Sequence, residues 1–222
     1  MTIKDLISSE ATPLKPTDTA EHALGLLMEM RVRHLPVVNS DGELIGVVSE
    51  DQLLDLASGP EARVDTLLRG VPATAEPETH LFDVTKTMVE HDLTTLPIAE
   101  RGGKYVGLVK RHDIFNRFAK MLSTQESGAI VALEVDPRDY SLSKLVYTIE
   151  QNGVKILSIA SETPDEDAGK IRVTLKLNVK DATRVRHMLD HYGYHVVATF
   201  SDDASDEDLQ LRVQEFMRYL EV

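Results

Sequence analysis

The sequence predicts an α+β protein: two tandem αβαββα units, then a βαββαβ sandwich and a terminal helix. Three observations carry this. Displacing the 222-residue chain by 61 positions lays residues 3–54 on residues 64–115 without a gap, so that Leu35-Pro36-Val37 meets Leu96-Pro97-Ile98, Gly46 meets Gly107 and Pro16 meets Pro77. After about Thr124 the rhythm of apolar residues changes. A last stretch places Leu209, Val213, Phe216, Met217 and Leu220 on one stripe behind the capping-box-like run Ser205-Asp206-Glu207-Asp208. A repeat of this length is one supersecondary unit that cannot cover its own apolar face. Two copies therefore pack together and create paired clefts, which suits ligand sensing more than catalysis.

In the first repeat, Asp18-Thr19-Ala20-Glu21 opens a stretch in which Ala23, Leu24, Leu27 and Met28 recur at helical spacing, predicting a helix over Ala20–Met30. His34–Val38 and Leu44–Ser49 are β-rich runs, separated by the turn residues Asn39-Ser40-Asp41-Gly42, and Glu50–Leu56 reads as helix. The second repeat follows the same order: helix Leu81–His91, strand Thr95–Ala99, turn Arg101-Gly102-Gly103, strand Lys104–Lys110, helix Arg111–Leu122. Ser58-Gly59-Pro60 breaks the pattern between the repeats, and Ser123–Gly128 is a polar joint after the second.

The third part reads as strand Ala129–Val135, helix Ser141–Gln151, strand Val154–Ser161, acidic turn Pro164–Gly169, strand Ile171–Leu177, helix Ala182–Tyr192, strand His195–Phe200. That order is a ferredoxin-like sandwich with both helices on one face of an antiparallel sheet, leaving the other face for a second subunit. The expected domains are residues 1–60 and 61–122 for the repeats, 123–128 for the linker, 129–200 for the sandwich and 201–222 for the acidic linker and tail helix.

With 37 acidic against 24 basic residues the net charge is −13, which opposes sequence-independent attachment to nucleic acid or to an anionic membrane. A phosphate ligand therefore needs a local basic pocket. The absence of cysteine excludes disulfides, zinc thiolate sites and thiol nucleophiles. Met1-Thr2-Ile3-Lys4-Asp5 carries no apolar signal core, and no run approaches about 18 apolar residues, so a cytoplasmic protein is expected.

Arg33-His34-Leu35-Pro36-Val37-Val38 with Gly42-Glu43-Leu44-Ile45-Gly46-Val47-Val48-Ser49, matched in the second copy by Leu96-Pro97-Ile98 and Tyr105-Val106-Gly107-Leu108-Val109, resembles a pair of CBS domains, the modules named after cystathionine β-synthase. The resemblance covers about residues 1–122. Asn152-Gly153-Val154-Lys155-Ile156-Leu157-Ser158 and Tyr192-Gly193-Tyr194-His195-Val196-Val197 resemble the helix-to-strand returns of an ACT domain, a regulatory module that in its family binds amino acids or mediates dimerisation. The two in this order are similar to acetoin-utilisation proteins of the AcuB type.

The CBS resemblance implies an adenine nucleotide (AMP, ADP or ATP) or S-adenosylmethionine as regulatory ligand, with Mg²⁺ as an optional companion. In such pairs the strand enters its helix through a Ser or Thr followed three positions later by Asp. The hydroxyl and helix amides suit phosphate, and the carboxylate accepts from both ribose hydroxyls. Here the first copy has Ser49 but Gln52, and the second has Asp113 but Lys110. Lys110 and Arg111 are expected to hold phosphate as point charges with Asp113 on the ribose, which favours the second cleft. His34, Leu35, Thr95 and Leu96 are the accompanying candidates, with Arg33 and His34 as secondary phosphate ligands.

The ACT resemblance points to Asp136, Asp139, Leu142, Lys155 and Ile156 for a small ligand. The loop Asp136-Pro137-Arg138-Asp139-Tyr140-Ser141 lacks the glycine that brings backbone amides close to a carboxylate, which favours dimerisation over ligand binding there. His187 and His191 share a helix face and His195 follows, but Gly193 turns the chain between them, so a solvated helix end is expected and no metal. No P-loop, nucleophile elbow or dinucleotide fingerprint is present, and no enzymatic activity is expected.

The function expected is a regulatory sensor that forms a homodimer or tetramer and acts on a metabolic enzyme, by resemblance in acetoin or acetate metabolism. The alternative is a dimerisation adaptor with degenerate ligand sites and a docking tail helix.

Overall fold

A computed structural model describes residues 1–9, 11–56, 63–163 and 169–202. The expected tail helix and its apolar stripe, the Ser58-Gly59-Pro60 break and most of the acidic turn lie outside the described residues. The chain divides into two compact units, Met1–Arg117 and Phe118–Val222. This division falls a few residues before the joint read from the sequence.

In the first unit, α1 (Ala20–Met30), β1 (His34–Val38), β2 (Leu44–Ser49) and α2 (Glu50–Leu56) are followed by α3 (Leu81–Glu90), β3 (Thr95–Ala99), β4 (Tyr105–Lys110) and α4 (Arg111–Met121), within whose last turns the division falls. Each hairpin is antiparallel, with a bulge at the same place: Val37/Val38 in one, Ile98/Ala99 in the other. The Thr19 hydroxyl caps α1 by accepting from the His22 amide, and His80 Nδ1 caps α3 by accepting from the Phe82 amide.

The leading α and β of each expected αβαββα unit are short. They are 3-10 turns, Lys4–Leu6 and Val64–Leu67, and single parallel bridges, Leu14 to Val37 and Ala75 to Ile98. Proline explains the short bridges, because Pro13 and Pro16 beside Leu14, and Pro77 near Ala75, have no amide to extend the ladder. Leu14 still donates to Pro36 O (2.9 Å) and accepts from Val38 N (2.8 Å), while Ala75 makes the equivalent bonds to Pro97 O (3.2 Å) and from Ala99 N (3.0 Å).

The leading 3-10 turns, unlike the bridges at Leu14 and Ala75, are exchanged between the repeats. The Ile3 amide donates to Thr79 O (3.1 Å) at the start of α3, and the Val64 amide donates to Asp18 O (2.9 Å) at the start of α1. Ile3 and Val64 are both fully buried, and Val64 joins Leu14, Leu27, Leu35, Val37, Val48 and Leu53 in the first repeat's core. Burying a side chain of this kind stabilises by about 1.5–3 kcal/mol. Cutting the pair at residue 60 would therefore remove a core residue from each half.

In the second unit, β5 (Ile130–Val135), α5 (Leu142–Glu150), β6 (Ile156–Glu162), β7 (Ile171–Leu177), α6 (Thr183–His191) and β8 (His195–Phe200) form the expected βαββαβ order. The sheet runs β6-β7-β5-β8 with every neighbour antiparallel, which is the ferredoxin-like topology. Val131, Leu133, Val135, Val173, Leu175 and Leu177 point into the core with Leu145 and Ile149 of α5 and Val185 and Leu189 of α6. Strand alternation puts Ile130, Ala132, Thr174 and Lys176 on the face away from the helices. On that side of β8, Phe200 is exposed beside Ile130.

Candidate functional site

The two strand-to-helix turns occupy equivalent places and have become chemically different. At the first, the Ser49 amide donates to Gln52 Oε1 (2.9 Å) and the Gln52 amide donates to Ser49 Oγ (3.2 Å). This reciprocal pair is a capping box, so both side chains are spent on the start of α2. Ser49→Ala should accordingly cost about 1 kcal/mol of stability in a denaturant titration, within a range of about 0.5–2 kcal/mol for lost caps.

At the second turn Lys110 and Asp113 form no such box, and the three expected residues part company. Lys110, the last residue of β4, lines a cleft of about 240 Å³ with Ser8, Ala11, Thr12, Leu26, Glu29 and Met30. Arg111, the first residue of α4, turns back instead: its Nε donates to Leu93 O (2.9 Å) and its guanidinium pairs with Asp92 Oδ1 (2.9 Å). That pairing holds the Asp92 carboxyl below the usual carboxylate range. Arg111 lines a separate groove of about 220 Å³ with Thr85, Met88, Val89, Asp92 and Ile114. Asp113 is half-buried on the first turn of α4 and lines neither. The expectation of one basic pocket with both cations is therefore not met; strand alternation followed by a helical turn sends adjacent side chains to different sides.

The remaining candidates belong to the joint between repeats. Leu35 and Leu96 are fully buried, so their side chains serve the core. Thr95 is also fully buried, and its hydroxyl donates to His34 O (2.7 Å). His34 is part-buried, and its Nδ1 accepts from the Thr94 amide (3.2 Å). The Arg33 amide donates to Thr94 Oγ1 (2.9 Å), and the Arg33 guanidinium pairs with Glu50 (3.1 Å) and Asp51 (3.4 Å). With two carboxylates already on it, Arg33 is not a loose phosphate ligand.

Most of the Lys110 cleft is invisible to motif reading, because Ser8, Ala11 and Thr12 come from the segment ahead of Leu14, and Leu26, Glu29 and Met30 from α1 of the other repeat. One signal pointed there. Gly107, three residues before Lys110, is a point of close approach by the exchanged segment: a Cβ on it would lie 2.7 Å from both Ile7 Cγ2 and Ser8 O.

In the sandwich, Asp136 and Asp139 occupy an exposed turn in which Asp136 Oδ1 accepts from the Arg138 amide (2.9 Å). Leu142 is exposed at the start of α5, and Lys155 is held through its backbone by Asn178, whose Oδ1 accepts from the Lys155 amide (2.7 Å). Ile156 packs against the core. Among the described residues no side-chain hydrogen bond or ion pair joins these five into one site, and no group of three His, Cys, Asp or Glu could hold a metal ion. His187 and His191 lie on α6 and His195 begins β8.

Comparison with known proteins bears on the first unit. A family model described as CBS domain matches residues 3–59 and again residues 64–120, more than half of the chain. The curated chloroplastic CBS domain-containing protein CBSX1 of Arabidopsis thaliana is 30% identical over 132 residues, which are 46% of this chain and 56% of the plant protein. The match thus spans little more than half the length of that relative. A CBS domain pair/ACT domain protein from Thermotoga maritima has a similar fold, with a TM-score of 0.50 at 20% identity over 55% of this chain and 99% of that one. A Vibrio cholerae protein assigned to acetoin utilization (AcuB) gives a TM-score of 0.49 at 22% identity over 56% of this chain and 95% of that one.

Proposed function

The chain belongs to the CBS domain family, and from that premise we propose that its repeat pair binds an adenine nucleotide or related adenosyl ligand in the cleft under Lys110. The observation that carries this reading is the cleft's composition: the Lys110 cation opposite one carboxylate, Glu29, with the hydroxyls of Ser8 and Thr12 and the apolar walls Ala11, Leu26 and Met30. Among the described residues the Lys110 ammonium forms no hydrogen bond or ion pair, so it is free to meet a phosphate or a ligand carboxylate. The Asp113 carboxylate, likewise without a partner among those residues, does not line the cleft, and it is the candidate for the ribose hydroxyls only of a ligand that extends beyond that lining. Arg111 is left out of this site, because it lines the separate groove beside Asp92 rather than the Lys110 cleft.

The role is regulatory rather than catalytic. A ligand that contacts both repeats shifts their relative arrangement by its differential affinity for the two states. The sandwich is read as an ACT-type domain that carries this to a second copy of the chain, through the sheet face bearing Ile130, Ala132 and Phe200. The target is read as a metabolic enzyme, and resemblance to acetoin-utilisation proteins directs the search to acetoin and acetate metabolism. A cytoplasmic setting fits this role; among the described residues no helix is long and apolar enough to cross a membrane.

A thermal melt of the full chain tests the reading. AMP, ADP, ATP or S-adenosylmethionine at about 100 times its dissociation constant should stabilise the repeat pair by about 2.7 kcal/mol. No shift with any of the four would favour the adaptor reading. For the first cleft that second reading already has support, since the Ser49–Gln52 box occupies the side chains a ligand would need.

A further inference from the structure

The joint between the repeats contains one hydrogen bond whose existence depends on a proton. The Thr94 backbone amide donates to His34 Nδ1 at 3.2 Å, and Thr94 Oγ1 lies 3.1 Å from the same nitrogen. A backbone N–H has no acceptor capacity, so this contact requires a lone pair on Nδ1 and places the ring proton on Nε2. Around it, Thr94 Oγ1 accepts from the Arg33 amide, and the Thr95 hydroxyl donates to His34 O. His34 is thus fastened to the second repeat through both its ring and its backbone.

The same residues anchor both strand-to-helix turns. The Arg33 carbonyl accepts from the Glu50 amide (2.9 Å), and the Thr94 carbonyl accepts from the Arg111 amide (2.9 Å). Those amides are the first of α2 and α4. Displacing Thr94 from His34 therefore disturbs the start of α4, immediately after Lys110.

We propose that His34 is a pH-sensitive joint: protonation of Nδ1 breaks the bond from the Thr94 amide, leaves the ring only the Thr94 hydroxyl oxygen to donate to, and loosens the two repeats from each other in mild acid. This goes beyond the ligand reading and stands without it. The charged groups facing the ring are Arg33 beside it, Asp51 on α2, Asp92 after α3 and Arg111 on α4. Burial first, then Arg33 and Arg111, holds the imidazole below its ordinary value; Asp92 and Asp51 act the other way. A depressed value means that the unfolded chain binds this proton more readily than the folded one. Stability is then full above the ordinary histidine pKa, about 6.5, and falls as pH drops below it, by up to about tenfold in the folding equilibrium per pH unit.

The test compares melts of the full-length parent and His34→Asn between about pH 7.5 and about pH 5.5, a window centred on the ordinary histidine value. Asparagine Oδ1 can replace Nδ1 as acceptor and does not titrate. The parent is expected to lose more stability across the window than the variant; an equal loss overturns the proposal. Should His34→Asn not fold, NMR of the parent decides. His34 is expected as the Nε2–H tautomer at about pH 7.5, titrating below about 6.5, with the Thr94 amide following the same transition. Titration at or above the ordinary value, or a Thr94 amide indifferent to it, overturns the proposal.

Discussion

Gly107→Ala should destabilise the repeat pair by about 1–3 kcal/mol, the range for forcing an extra carbon into a packed interior. The new Cβ would meet Ile7 Cγ2 and the Ser8 carbonyl oxygen, each at 2.7 Å. The carbonyl cannot rotate away, because Leu108 N donates to it (3.2 Å) while Ser8 N donates to Leu108 O (2.9 Å). The exchanged N-terminal segment must therefore move as a unit. Gly46 is the control: it holds the equivalent place in the first repeat, but its Cβ would meet the far end of the Leu68 side chain, which can change rotamer. Denaturant midpoints should rank Gly107→Ala well below Gly46→Ala. Equal effects would mean that the exchange of segments does not hold the pair together. Because Ser8 also lines the Lys110 cleft, Gly107→Ala should weaken ligand binding as well.

Lys110→Glu should weaken binding of an anionic adenosyl ligand by about ten- to a hundredfold, the loss of one charge-assisted hydrogen bond. Reversing the charge sets a second carboxylate beside that of Glu29 in a cleft whose one cation has been removed. Folding should be little affected, since among the described residues the Lys110 ammonium has no partner to lose, Glu29 included. Calorimetric titration of a variant with the parental melting temperature measures the effect. Unchanged affinity would remove Lys110 from the site and send attention to the Arg111 groove.

The fold was legible where periodicity is long and turn chemistry plain. Helix Ala20–Met30 and strands His34–Val38, Leu44–Ser49, Thr95–Ala99 and Ile171–Leu177 occur with the bounds read from the residues. The opening of each repeat was not legible as it is, because its contacts are made with the other repeat. Nothing local shows that Ile3 will be bonded to Thr79 or Val64 to Asp18. The candidate site suffered from the same cause. The place of Lys110 in the repeat singles it out as a candidate, but its neighbours in the cleft, Ser8, Thr12 and Glu29, lie far away in sequence and carry no motif. At Ser49 and Gln52 the spacing is ambiguous, since an S-x-x-Q run that resembles half a ligand motif is equally a capping box, and in the structure the two side chains form one.

The most direct measurement is a crystal structure of the full chain grown with AMP, and separately with S-adenosylmethionine. The account predicts the adenosine moiety against Ala11, Leu26 and Met30, with the Lys110 ammonium on the phosphate or carboxylate. A ligand held by Arg111 and Asp92 instead, or a Lys110 cleft left empty at saturating concentrations of both, would contradict it.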